Sequence, residues 1–308
     1  MEQAYLSDFL RTRYGIHAAA VRFLREGGGT SYLAETAEKE RFFLKLIGPA
    51  FAGTARRSAS VMRYLEEQGF PVPKTLLTTD GAALPEIRED GETRLLLVQE
   101  FMEGEEPDLT ARAEEVGMLT ARLHDLLEEF LGDPVTRGKA FFIGRYLDFL
   151  RKKRYPRLSA YEELGGMLWS RTEGQPTGIC HGDLHRGNLL ETSDGRIVFL
   201  DFDTVCRAPL MFDVSVMCDM TDYFRLKQKD VGLTKTVYER FLSGYAEARK
   251  LTRTETASFS DWIAIRHFQL QATILELYGI DCIDEAFIDR QLEWLTQWLS
   301  VMGTDSKA

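Results

Sequence analysis

Paired cysteines are missing from this chain. Four occur in 308 residues, Cys180, Cys206, Cys218 and Cys282, and none makes a C-x-x-C pair. That excludes a disulfide framework and a thiolate zinc site, and it marks the four as reduced, buried packing residues. Long apolar runs are missing too. Phe42-Phe43-Leu44-Lys45-Leu46-Ile47 and Arg94-Leu95-Leu96-Leu97-Val98 are among the longest, far short of the roughly 20 residues that span a bilayer. No membrane partner is expected. The opening Met1 to Asp8 has an early acid, no basic n-region and no apolar h-region, so a cytoplasmic location is expected. Positive charge is in deficit, with 38 Lys and Arg against 48 Asp and Glu, a net charge of -10. A polyanion would be repelled, which argues against nucleic acid and favours a cationic small molecule. Internal repeats and low-complexity segments are absent as well.

What is present is an ordinary globular composition, 44% hydrophobic and 28% charged, long enough for two packed lobes. The spacing predicts strands at 21–26, 32–36 and 41–47, split by Gly27-Gly28-Gly29-Thr30-Ser31 and by the turn Ala37-Glu38-Lys39-Glu40. A helix follows over 56–68, closed by Gly69, Pro71 and Pro73. Asp80-Gly81 and Asp90-Gly91 punctuate further antiparallel strands that end with 94–102. Beyond Glu103-Gly104-Glu105-Glu106-Pro107 the apolar period becomes helical, first at Val116, Leu119, Leu123, Leu126, Leu127 and Phe130. Helices are then expected over 144–153, 160–171, 212–224, 236–247, 257–277 and 285–301, with Trp262, Trp294 and Trp298 in the core.

Chemistry concentrates in Cys180-His181-Gly182-Asp183-Leu184-His185-Arg186-Gly187-Asn188 and in Leu200-Asp201-Phe202-Asp203, joined by the hairpin signal Asp194-Gly195. A two-residue turn there would pair Ser193 with Arg196 and set Asn188 opposite Asp201. Opposed side chains lie about 4.5–5.5 Å apart at Cβ. An amide oxygen and a carboxylate at that distance suit a hard divalent cation such as magnesium, which also accepts phosphate oxygens. Asp183, five residues before Asn188 in a Gly-bounded loop, is placed to take a proton from a hydroxyl. The same Asp-to-Asn spacing marks the catalytic loop of protein kinases.

These two segments closely resemble the motifs of the aminoglycoside phosphotransferase and choline kinase-like family, small-molecule relatives of protein kinases, and the resemblance covers nearly the whole chain. It implies an α+β, bilobal, protein kinase-like fold. A small antiparallel β-rich lobe over residues 1–102 would bind nucleotide, and a larger, mostly helical lobe over 103–308 would carry catalysis and the acceptor. ATP would bind between them. By resemblance, Gly28, Gly29, Thr30 and Ser31 belong to the glycine hairpin over the nucleotide, and Lys45 neutralises its phosphates. The backbone at Glu100 and Met102 would hydrogen-bond the adenine. Asn188 and Asp201 would hold Mg2+ with Asp203 assisting, Asp183 would be the catalytic base, and Asp213 would hold the loop, while His181 is read as bracing it by hydrogen bonding and His185 as a supporting residue.

The implied activity is transfer of the ATP γ-phosphoryl group to a hydroxyl of an aminoglycoside-, amino alcohol- or sugar-like acceptor. One departure stands out: Ser58 occupies the place where the family usually has an acid that pairs with the strand lysine. That keeps open a degenerate kinase or nucleotide-binding scaffold. A protein Ser/Thr kinase is the other alternative, but the short stretch between Asp203 and the helix near Phe212 leaves no room for a long activation segment and favours a small acceptor.

Overall fold

The computed structural model describes residues 3–26, 29–89 and 91–305. They form two compact units. The first runs to Pro107 and includes Phe130–Asp133 and Gly187–Val205; the second contains Asp108–Glu129, Pro134–Arg186 and the chain from Cys206 onward. No helix among the described residues is long and apolar enough to cross a membrane.

The first unit is built on a five-stranded antiparallel sheet: β1 (Ala18–Glu26), β2 (Thr30–Thr36), β3 (Arg41–Ile47), β4 (Glu86–Glu89) and β5 (Glu92–Glu100), in the order β1-β2-β3-β5-β4. Side chains alternate across a strand, so β3 and β5 serve two layers. Leu44, Leu46, Leu96 and Val98 meet Leu6 and Leu10 of α1 (Gln3–Tyr14) on one face. Ile47, Leu95 and Leu97 pack with Ala55 of α2 (Ala52–Glu67) on the other. Burying a leucine in this way contributes roughly 1.5–3 kcal/mol. α1 was not foreseen, because a stripe of only Leu6 and Leu10 is too sparse to signal a helix.

The second unit is mostly helical: α3 (Leu109–Glu128), α4 (Arg145–Lys152), α5 (Leu158–Thr172), α6 (Met211–Cys218), α7 (Gln228–Ala248), α8 (Arg253–Ala257), α9 (Phe259–Tyr278) and α10 (Glu285–Asp305). The Asp108 carboxylate caps α3 by accepting the Thr110 N–H at 2.9 Å. α3 and α7 cross at two glycines. A Cβ on Gly117 would lie 2.0 Å from the Phe241 carbonyl oxygen, and one on Gly244 would lie 1.8 Å from that of Glu114. Trp262, Trp294 and Trp298 are buried, as the helical spacing required. Short strands complete the frame: β6 (Val135–Thr136) and β7 (Thr177–Cys180) flank β10 (Cys206–Pro209) in this unit, while β8 (Leu189–Glu191) pairs with β9 (Ile197–Phe199) in the first.

Two expectations are corrected. The helix expected over 212–224 ends at Cys218, because the Asp219 carboxylate accepts the Thr221 N–H at 2.9 Å and its hydroxyl at 2.6 Å, a local turn that competes with helical bonding. Cys282 is exposed rather than buried, while the other three cysteines are buried.

Candidate active site

Lys45 occupies the strand face that α2 covers, in an otherwise apolar segment, where an ammonium needs a partner. Its side chain is 12% exposed and forms an ion pair with Asp203, and the Asp201 carboxylate lies 3.9 Å away. The residue that α2 presents is Ser58, which is buried and lines the same cleft. The two acids of α2 are engaged at its far end: Glu66 accepts the Thr75 N–H at 3.2 Å, and Glu67 pairs with Arg63 at 3.2 Å. The carboxylates at Lys45 therefore come from the turn after β9. Phe202, fully buried, fixes that turn under α2. Asp201 adopts a left-handed backbone, φ 57° and ψ 69°, unusual for a non-glycine residue, at the point where the chain turns between the Asp201 and Asp203 carboxylates.

The cleft measures about 270 Å3, and all of its lining belongs to the first unit. Leu24, Phe43, Met62, Leu97, Leu190 and Leu200 supply apolar walls, while Lys45, Asp201 and Asp203 supply the charge. Glu100 and Met102 line it too. The Glu100 N–H donates to the Lys74 carbonyl at 2.9 Å and the Phe101 N–H to the Arg41 carbonyl at 3.1 Å. The Met102 N–H has no partner among the described residues, leaving a backbone donor at the rim. Gly29, Thr30 and Ser31 do not line this cleft. The Thr30 hydroxyl donates to Glu26 at 3.2 Å, and Ser31 is buried as the register partner of Lys45. Gly28 lies outside the described residues.

The expected two-residue turn does not form. β8 pairs with β9 as Leu189 with Phe199 and Glu191 with Ile197, and the Thr192 N–H donates to the Arg196 carbonyl at 2.9 Å. Residues 193–195 make a three-residue turn, with Gly195 at φ +80° in the position that demands a left-handed residue. The register moves by one. Asn188 stands opposite Leu200, whose N–H it accepts at 2.9 Å, and not opposite Asp201. Asn188 and Asp201 still flank the same end of this two-stranded ladder, just before β8 and two residues after β9. Among the described residues, no cluster of three His, Cys, Asp or Glu side chains is placed to hold a metal.

In the second unit, Asp183 lies in the loop after β7. Asp213 of α6, fully buried, accepts the His181 N–H at 2.6 Å and the Gly182 N–H at 2.9 Å. His124 Nε2 lies 3.2 Å from the same carboxylate, and His124 Nδ1 lies 2.8 Å from the Tyr245 hydroxyl. Three elements thus converge on the backbone that carries Asp183. Its side chain is held separately: Arg266 Nη2 of α9 donates to Asp183 Oδ1, and His185 Nε2 lies 3.7 Å from Oδ2. The His181 side chain is buried, and that of His185 is half-exposed. Sequence reasoning did not find Arg266. Its signal was available, since Ile263-Ala264-Ile265-Arg266-His267-Phe268 sets one guanidinium in a buried run, the logic that singled out Lys45. The apolar cleft walls carried no such mark.

Residues 20–256 match the model of the phosphotransferase enzyme family. A homoserine kinase of Methylobacillus flagellatus is 25% identical over 240 residues, covering 77% of this chain and 72% of that protein. An amicoumacin kinase solved in complex with AMP-PNP and Ca2+ superposes with a TM-score of 0.77 at 17% identity, covering 97% of this chain and 93% of that one. A microcompartment-associated aminopropanol kinase gives 0.70 at 17% identity, covering 97% and 98%. The fold is therefore the protein kinase-like α+β fold of these phosphotransferases.

Proposed function

Since the chain belongs to the phosphotransferase enzyme family, we infer that it transfers the γ-phosphoryl group of ATP to a hydroxyl of a small, amine-bearing molecule. The observation that carries this reading is the cleft of the first unit, an apolar slot lined by Lys45, Asp201 and Asp203, with Lys45 paired to Asp203, and by Met102, whose backbone N–H has no partner among the described residues. The slot suits a purine, the backbone donor suits its ring edge, and Lys45 suits the phosphates. Ser58 does not leave Lys45 without a carboxylate, because Asp203 stands in contact with it, and this supports a competent enzyme over a degenerate one.

Asn188, Asp201 and Asp203 offer hard oxygen ligands, which fit magnesium. When bound, magnesium would neutralise charge on the transferring phosphates. The chain's own residues do the rest. Lys45 holds the phosphates, and Asp183 orients the acceptor hydroxyl and accepts its proton. Asp213, through the His181 and Gly182 amides, fixes where Asp183 stands. A protonated amine on the acceptor accords with the net charge of -10. Two relatives support it, since homoserine and aminopropanol each join an amine to an alcohol.

The test is ATP- and magnesium-dependent ADP release across amino alcohols, hydroxy amino acids, aminoglycosides and sugars, with the product followed by 31P NMR. The expected result is one acceptor class giving a phosphomonoester; ATP binding with no ester from any acceptor would contradict the reading.

A further inference from the structure

The geometry points to Arg266 as the positioning residue of Asp183, a proposal that rests on the reading of Asp183 as the group receiving the acceptor's proton. A carboxylate at a loop turns about two side-chain torsions, and fixing its backbone does not fix its oxygens. Asp213 fixes only the backbone, through the amides of His181 and Gly182. The side chain is 30% exposed and its neighbour His185 is 43% exposed, so packing alone does not orient it. Arg266 supplies that restraint. One guanidinium nitrogen donates to Asp183 Oδ1 and the other to Gln269 Oε1, a buried amide one turn along α9. The guanidinium carbon lies 6.0 Å from the centroid of the Phe212 ring.

The Arg266 side chain is itself 14% exposed, and its helix is locked by Trp262, Ile263, Ile265 and Phe268, all fully buried. The planar fork therefore transmits the rigidity of the helical core to one carboxylate oxygen, as an ammonium on a flexible stem would not. The benefit is geometric. A base displaced by about 1 Å can lose about 100-fold in rate.

The experiment compares wild type, Arg266→Ala, Arg266→Lys, Asp183→Asn and the double variant Asp183→Asn/Arg266→Ala. It measures kcat and KM for ADP release with water and with homoserine as acceptors, alongside ATP affinity and thermal unfolding. Arg266→Ala is expected to lower kcat about 10- to 100-fold while ATP affinity stays within about twofold. Added guanidinium is expected to restore part of that rate, and Arg266→Lys to restore less than half of it, responses that loss of packing alone would not produce. The double variant should be no slower than Asp183→Asn, because a positioning residue has nothing left to position. Unchanged kcat in Arg266→Ala, or a further loss in the double variant, would overturn the assignment. Full turnover in Asp183→Asn would instead remove the base reading on which it rests.

Discussion

Asp213→Asn isolates what holds the loop carrying Asp183 in place. The carboxylate accepts two backbone N–H groups, from His181 and Gly182, with His124 as a third contact, and all of it is buried. An amide of the same size keeps one oxygen and turns its NH2 toward the second N–H, so donor meets donor. One charge-assisted hydrogen bond is lost, and one buried donor is left unsatisfied, each worth about 1.5–3 kcal/mol. The expected loss is about 3–6 kcal/mol, which corresponds to a fall in Tm of roughly 5–10 °C by differential scanning fluorimetry. Asp183 lies only two residues beyond His181, so kcat should fall about 100-fold as the loop shifts. ATP affinity should not follow, because the cleft draws none of its lining from this unit. A variant with native Tm and native kcat would show that the Asp213 carboxylate does not hold the loop.

Three further outcomes are expected. His267, buried between Tyr223 and Trp294, is held neutral, its pKa pushed down from 6.5 to about 4 by burial. The unfolded chain binds this proton at higher pH, so the stabilisation is complete above about pH 6.5 and is lost as pH falls toward about 4, roughly 3 kcal/mol in all. Urea titrations at pH 7 and pH 4.5 should show His267→Gln flattening that slope; an unchanged slope would contradict it. For the Lys45 pair, a thermal-unfolding cycle of Lys45→Met and Asp203→Asn should give a coupling of about 1 kcal/mol, with Lys45→Met also weakening ATP binding about tenfold by calorimetry. Additive effects would mean that the pair is not formed. Gly244→Ala pushes a methyl into the Glu114 carbonyl across α3 and α7 and should cost about 1–3 kcal/mol while leaving ATP affinity intact; a native Tm would contradict that packing.

Much of this was legible in the residues, and the reasons are local. The strand predicted over 41–47 coincides with β3, because Phe42 to Ile47 is apolar on both faces and bounded by polar turns. The helices expected over 160–171 and 285–301 correspond to α5 and α10, whose apolar period is long. The candidate site residues were visible because Asp183, Asn188, Asp201 and Lys45 are polar or ionisable side chains at motif spacing in otherwise apolar or glycine-bounded segments. The hairpin register was not, since Asp194-Gly195 serves a two-residue or a three-residue turn equally well, and only the Thr192 to Arg196 pairing decides. The partner of Lys45 was hidden for a different reason: Asp203 is 158 positions away, and no local pattern encodes a contact at that separation. Arg266 and Asp183 are 83 positions apart and were hidden in the same way.

Asp183 is proposed to receive the acceptor proton in an ATP-dependent phosphoryl transfer. The direct measurement is acceptor-stimulated ADP release by wild type and Asp183→Asn at saturating magnesium, with ATP affinity determined on the same preparations. The expected kcat is lower by about 10²- to 10⁴-fold in the variant, with an ATP Kd within about twofold. An Asp183→Asn enzyme that turns over at the wild-type rate would contradict it.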